Sequence, residues 1–185
     1  MTFRNTQAVL GLSALLLGTA AACAQADANR ACDMWYSALA DADRESAAGP
    51  RSREVALNEY VPGGYAGYYV SSSGNHVLRL VDTTKAGAAR KRLSALVACD
   101  PAVPEAVLGA ASVEPAEYTL SELLFWKDKL FACDISGIGI STIDNRISVG
   151  AADTALVRTC IHTLARKQGV PLNAVKLEEM DLVRF

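Results

Sequence analysis

Histidine is scarce in this sequence. His76 and His162 are the only two in 185 residues, so a serine or cysteine hydrolase centre would have to recruit one of them. Neither lies in a Gly-x-Ser-x-Gly turn or a comparable nucleophile context. Both read as ordinary surface or boundary histidines, and no enzymatic activity is expected. Metal spacing is also missing: no Cys-x-x-Cys occurs, and "CIH" at 160–162 sets two potential ligands two positions apart on a predicted helix, facing different directions. Gly137 and Gly139 have no third glycine opening a helix, so they suit close strand packing rather than a dinucleotide turn. Asp41, Asp43 and Glu45 lack calcium-loop spacing and read as a solvated helix face. We therefore expect no metal and no cofactor. There is no basic stripe either. Lys85, Arg90, Lys91 and Arg92 fit the wet face of a helix, and a net charge of -2 gives little attraction for phosphates, which argues against nucleic-acid binding.

What is present begins with an export signal in residues 1–26. Arg4 and the free amine form a cationic start, "AVLGLSALLLG" is an apolar run too short for a comfortable membrane span, and "TAAACAQA" supplies small residues for cleavage after Ala24 or Ala26. The competing expectation is lipidation at Cys23, since "AAAC" is a degraded lipoprotein box. Either route exports the chain, to the periplasm, the exterior or a lipid-anchored position on the membrane. Loss of Arg4 with the signal brings the net charge to about -3. Four cysteines then remain, Cys32, Cys99, Cys133 and Cys160, an even number that permits two disulfides in three connectivities. Cys99 and Cys133 each follow a predicted helix C-terminus, which favours pairing them and leaves Cys32 for Cys160; each bond should contribute about 2–4 kcal/mol.

The periodicity predicts an α+β protein. An amphipathic helix carrying Cys32, Trp35, Tyr36 and Leu39 runs toward Gly49-Pro50, and with a short helical turn at "REVALNEY" it makes an N-terminal helical segment over 27–58. From residue 60 the pattern becomes extended. "YAGYYV" and "HVLRLV" flank "SSSGN", the signature of a hairpin. A helix over 86–99 with Leu93, Leu96 and Val97 inward leads to a strand at "AVLGAASVE". Thr119 and Glu122 then form a capping box for a helix to 132 that buries Leu120, Leu123, Leu124 and Leu130 and leaves Lys127 and Lys129 in water. "GIGISTIDNRISVG" alternates as a second hairpin about Asp144-Asn145. Asp153 caps a helix with Leu156, Val157, Cys160, Ile161 and Leu164, and Gly169 and Pro171 end it before a strand at "NAVKLEEMDLV". Gly74-Asn75 and Asp144-Asn145 stand 70 residues apart. The 60–182 region thus reads as a duplication, two β-β-α-β units joined by the 119–132 helix, with antiparallel or mixed sheets covered by helices.

"GGYAGYYV", "YTLSEL", "STIDNRISVG" and "GVPLNAVKLEE" together resemble the pro-domains of secreted chymotrypsin-like bacterial proteases of the α-lytic type, over about residues 60–182. The resemblance implies a folding catalyst and tight inhibitor that acts through the surface of its C-terminal sheet. No protease follows Phe185, so it implies a trans-acting binder or a reused scaffold. The expected partner is a protein, for which a secreted protease is the candidate the resemblance supplies. Tyr65, Tyr68 and Tyr69 are the candidate contact residues, because alternation sends Tyr68 and Tyr69 to opposite faces of the first strand; packing on both sides of the sheet is the competing expectation. The alternative function is a structural or small-ligand-binding module of the cell envelope that uses a groove between the two units.

Overall fold

A computed structural model describes residues 29–40, 52–96, 99 and 112–179, with side chains from residue 55 onward in the second of these stretches. The export signal, Cys23, the 41–48 part of the first helix, Val97, the 106–111 part of the third strand and the 180–183 part of the last lie outside the described residues.

Helix α1 spans residues 29–40 and α2 spans Ser52–Tyr60. The first unit then runs β1 (Tyr65–Val70), β2 (His76–Leu80), a 3-10 turn (Thr83–Lys85), α3 (Ala86–Leu96) and β3 (Ser112–Pro115). Helix α4 (Leu120–Leu130) leads into the second unit: β4 (Gly137–Ser141), β5 (Arg146–Ala151), α5 (Thr154–Gln168), a 3-10 turn (Leu172–Ala174) and β6 (Val175–Glu179). Each unit forms its own three-stranded sheet, in the orders β1-β2-β3 and β4-β5-β6. In both, the hairpin is antiparallel and the outgoing strand pairs parallel to the hairpin's second strand. A parallel return needs a crossover, and α3 and α5 supply it. The duplicated α+β architecture read from the periodicity is therefore present.

The repeat extends further than the sequence pattern suggests. Tyr60 and Leu130 end α2 and α4, His76 and Arg146 open β2 and β5, and each pair stands 70 positions apart. Helix α2 is thus to the first unit what α4 is to the second, so the linking helix is also a repeated element. The same local chemistry starts both crossovers: Asp82 accepts from Thr84 N at 3.0 Å, and Asp153 accepts from Ala155 N and Leu156 N at 3.0 Å.

Two cores hold the molecule. Trp35, Tyr60, Leu78, Leu80, Leu93 and Leu96 pack in the first, where the Trp35 and Tyr60 rings meet edge to face at 5.6 Å. Leu130, Ile147, Val149, Val157, Ile161 and Leu164 pack in the second. Helix α4 serves both, because Leu120 and Leu124 lie one turn apart on one stripe while Leu123 and Leu130 lie on the neighbouring one. The first pair packs into the first core and the second pair into the second. Leu123 and Leu130 are fully buried and Leu120 nearly so, while Leu124 is half-buried; a fully buried leucine contributes about 1.5–3 kcal/mol, so these side chains on one short helix weld the units together. The capping box is complete, with Glu122 N donating to Thr119 Oγ1 at 3.2 Å and Thr119 N donating to Glu122 Oε2 at 2.8 Å. Lys129 is only half-exposed. Its ammonium donates to the Gln168 carbonyl at 2.7 Å and lies 4.1 Å from the Phe125 ring centre.

The disulfide pairing differs from the expectation. The bonds are Cys32–Cys99 and Cys133–Cys160, with Cα separations of 5.3 and 5.8 Å, and not Cys99–Cys133 and Cys32–Cys160. Cys99 and Cys133 do each follow a helix, but those helices end in different cores. Trp35 anchors α1 in the first core, which brings Cys32 to Cys99 beyond α3; Cys133 beyond α4 meets Cys160 on α5 in the second. Each bond stays beside one core. Both fit an oxidising, exported compartment, and among the described residues no helix is long and apolar enough to cross a membrane.

Candidate binding surface

The tyrosines of β1 are governed by one backbone feature. Tyr65 pairs with Leu80 and Tyr68 with Leu78, three residues on β1 against two on β2, so β1 carries a bulge. Gly67 sits in it at φ +101°, where a side chain would be strained, and a Cβ there would come within 2.7 Å of the Thr142 methyl. The extra residue sends Tyr65 and Tyr68 to the same face. Tyr65 is buried in the first core and Tyr68 packs half-buried against it. Tyr69 lies on the other face, opposite Val77, and donates its hydroxyl to Glu114 Oε2 at 3.0 Å. That bond to the carboxylate, and then burial, raise the Tyr69 hydroxyl above its usual pKa. Tyr65 and Tyr68 are thus packed on the first core, and Tyr69 is held half-buried by its bond to Glu114.

The space over that face is closed by the tip of the second hairpin. Arg79 on β2 donates to the carbonyls of Thr142, Ile143 and Pro115, tying the tip and the end of β3 to the first sheet. Asn145 closes the hairpin in the left-handed region, at φ +54°. Although polar, it is 1% exposed. Its side-chain oxygen accepts from Glu117 N and Tyr118 N, and its amide donates to Tyr118 O, all at 2.8 Å. Arg146, the next residue, pairs with Glu117 at 2.6 Å. Glu117 also accepts from the Tyr118 hydroxyl and from Asn173, and these donors, led by Tyr118, hold its carboxyl below the usual range. Sequence reading assigned no role to Arg79, Glu117 or Arg146. Asn145 was legible only as a turn former.

A different kind of surface lies at the end of the second sheet. Asp153 fixes the start of α5, and Gly169, left-handed at φ +68°, ends it with its N–H on the Ala165 carbonyl at 3.2 Å. The helix buries Val157, Ile161 and Leu164 and turns Leu156 outward. Arg158 and His162 follow the buried positions by one residue, which puts them along the rim of that stripe. Val175 and Leu177 alternate toward the same stripe from β6. Between helix and strand lies a cavity of about 180 Å³ lined by Arg158, Ile161, His162, Leu172, Val175 and Leu177.

Among the described residues the outer edge of β6 pairs with no strand, so alternate N–H and C=O groups face away from β5. Of the outer strands, β1 and β4 lie beside α4, β3 beside the 83–85 turn and β6 beside α5. The two faces of β6 differ in charge. Lys176, on the face away from α5, is paired with Asp144 at 3.4 Å and Glu178 at 3.0 Å, and Glu178 first, then Asp144, raise its pKa. Arg158 has no hydrogen-bond or ion-pair partner among the described residues. His76 and His162 belong to different units. Among the described residues no group of three or more histidine, cysteine, aspartate or glutamate side chains could hold a metal.

No protein-family model matches the chain, and no curated protein matches it.

Proposed function

We propose that this chain is an exported, non-catalytic protein-binding module that receives an extended segment of its partner along the outer edge of β6. The observation that carries the reading is the edge of a five-residue strand, unpaired among the described residues, with a cavity between that strand and α5 whose lining includes Ile161, Val175 and Leu177. A strand added there gains main-chain hydrogen bonds from the edge, and pockets along the helix select its alternate side chains. The outward charges of Lys176 and Glu178 oppose indiscriminate edge-to-edge pairing. The partner suggested by the resemblance to protease pro-domains is a secreted protease. The place of action is the periplasm, the exterior or, with lipid at Cys23, the membrane surface. The oxidising setting indicated by the two disulfides supports all three. A small-ligand role in a groove between the units draws no support from the hairpin tip, since the Gly67–Thr142 contact closes the space there.

The test is capture of partners from envelope and culture-medium fractions by the purified oxidised protein, followed by measured binding to each purified candidate. A saturable complex is expected, weakened at least 10-fold by Leu172→Asp, which charges an exposed rim residue (45% exposed) without entering the core. Recovery of no protein partner, or a complex indifferent to Leu172→Asp, would refute the assignment.

A further inference from the structure

The β6 groove has a chemistry of its own, and taking β6 as a partner-receiving edge, we infer that it reads a free peptide C-terminus: the terminal carboxylate on Arg158 and the last, apolar side chain in the cavity beneath it. Three observations point to this occupant. The cavity holds about 180 Å³, below the 300–1,000 Å³ of drug-sized pockets, and suits one aliphatic or aromatic side chain. Its floor is apolar, formed by Ile161, Val175 and Leu177. Its rim carries Arg158, a guanidinium with no partner of its own among the described residues, whose planar fork matches a carboxylate with two parallel hydrogen bonds.

The surrounding charges narrow the choice. Lys176 is already neutralised by Asp144 and Glu178 on the opposite face and offers no competing anion site. Glu179 follows Val175 and Leu177 on the α5 face of β6 and is exposed, so it repels an anion from the strand's far end. Arg166 stands two turns beyond Arg158 on the same helix face, with its Nε on the His162 carbonyl, and it does not line the cavity; Arg158 is the arginine that does. An internal aspartate or glutamate would satisfy the arginine, but its one or two methylenes would leave the cavity over Ile161, Val175 and Leu177 unfilled. A chain end with a leucine-like last residue meets both requirements, and its preceding residues remain free to pair with the β6 edge.

The experiment is a titration of the 15N-labelled, oxidised protein, followed by amide and arginine Nε signals, with two probes: acetyl-Thr-Val-Thr-Val-Leu bearing a free carboxylate, and the same peptide as its C-terminal amide. The acid is expected to shift the amides of β6 and Leu172 and the Arg158 Nε signal, and to bind at least 10-fold more tightly than the amide. Arg158→Gln, on the solvent side of a well-packed helix, should keep the native spectrum and erase that difference. Equal affinity for acid and amide, or an acid preference that survives Arg158→Gln, overturns the C-terminus reading; if β6 signals still move, edge pairing stands without it. Absence of β6 shifts with either peptide at millimolar concentration overturns the inference and counts against the edge itself.

Discussion

Replacing Cys133 and Cys160 together by alanine isolates what the second disulfide contributes. The bond closes a loop of 27 residues, and removing that constraint returns closure entropy to the unfolded chain worth about 3.5 kcal/mol at 25 °C. The bond from Cys32 to Cys99 closes 67 residues and by the same relation contributes about 4.4 kcal/mol. Losses of this size are large beside a total stability of about 5–15 kcal/mol. With a urea slope of about 2 kcal/mol per molar, the unfolding midpoint should fall by about 1.7 M for the first double variant and about 2.2 M for the second. The two tryptophans serve as separate reporters, since Trp35 lies in the first core and Trp126 packs against the second. Urea titrations of Trp35→Phe and Trp126→Phe backgrounds would follow each core by fluorescence and the whole chain by circular dichroism. Because α4 places leucines in both cores, the two probes should share one transition in the oxidised protein and in either double variant. A larger loss for the shorter loop would refute the closure account, and a fluorescence midpoint well separated from the circular-dichroism midpoint of the same single-tryptophan background would refute coupling through α4.

Asn145→Ala should cost about 3 kcal/mol, since it strips partners from the Glu117 and Tyr118 amides and the Tyr118 carbonyl and leaves a Cβ-bearing residue without local bonds in the left-handed region; Asn145→Gly should recover part of this in thermal unfolding, and equal losses would contradict the backbone component. The Glu117 carboxyl is held below its usual 4.5 in the folded state, so its contribution is present above the unfolded value and disappears as pH falls through the folded one. Glu117→Gln should therefore flatten the fall in melting temperature between about pH 5 and pH 3, and an unchanged acid slope would show that the Arg146, Tyr118 and Asn173 contacts to Glu117 do not set it.

Much of the architecture was legible because it is written in local rules. Thr119 with Glu122, Asp153 and Gly169 marked helix ends that side-chain and backbone geometry require, and the alternation of Ile138, Ile140, Ile147 and Val149 marked a hairpin with one inward face. The disulfide pairing was illegible because it depends on which core α1 joins, a decision made by Trp35 in packing and not by cysteine spacing. The disposition of the β1 tyrosines was obscured by one residue: the bulge at Gly67 puts Tyr65 and Tyr68 on the same face, and no count of period two reveals an inserted residue. The candidate groove was hidden for a related reason. Arg158 and His162 are unremarkable helix residues until the turn at Leu172–Ala174 returns β6 beside them, and only that tertiary return makes a rim of the arginine.

The two-sided leucine pattern of α4 bears on how such a molecule can be taken apart. A cut in the loop after Pro115 would leave an N-terminal fragment without the helix that roofs it and a C-terminal fragment with Leu120 and Leu124 bared to water. Neither piece should hold its shape alone, yet mixed together they should reassemble, since the missing surface of each is carried by the other. A repeated architecture is in this way bound into mutual dependence, and the halves could not be parted into independent proteins without redesigning a single eleven-residue helix.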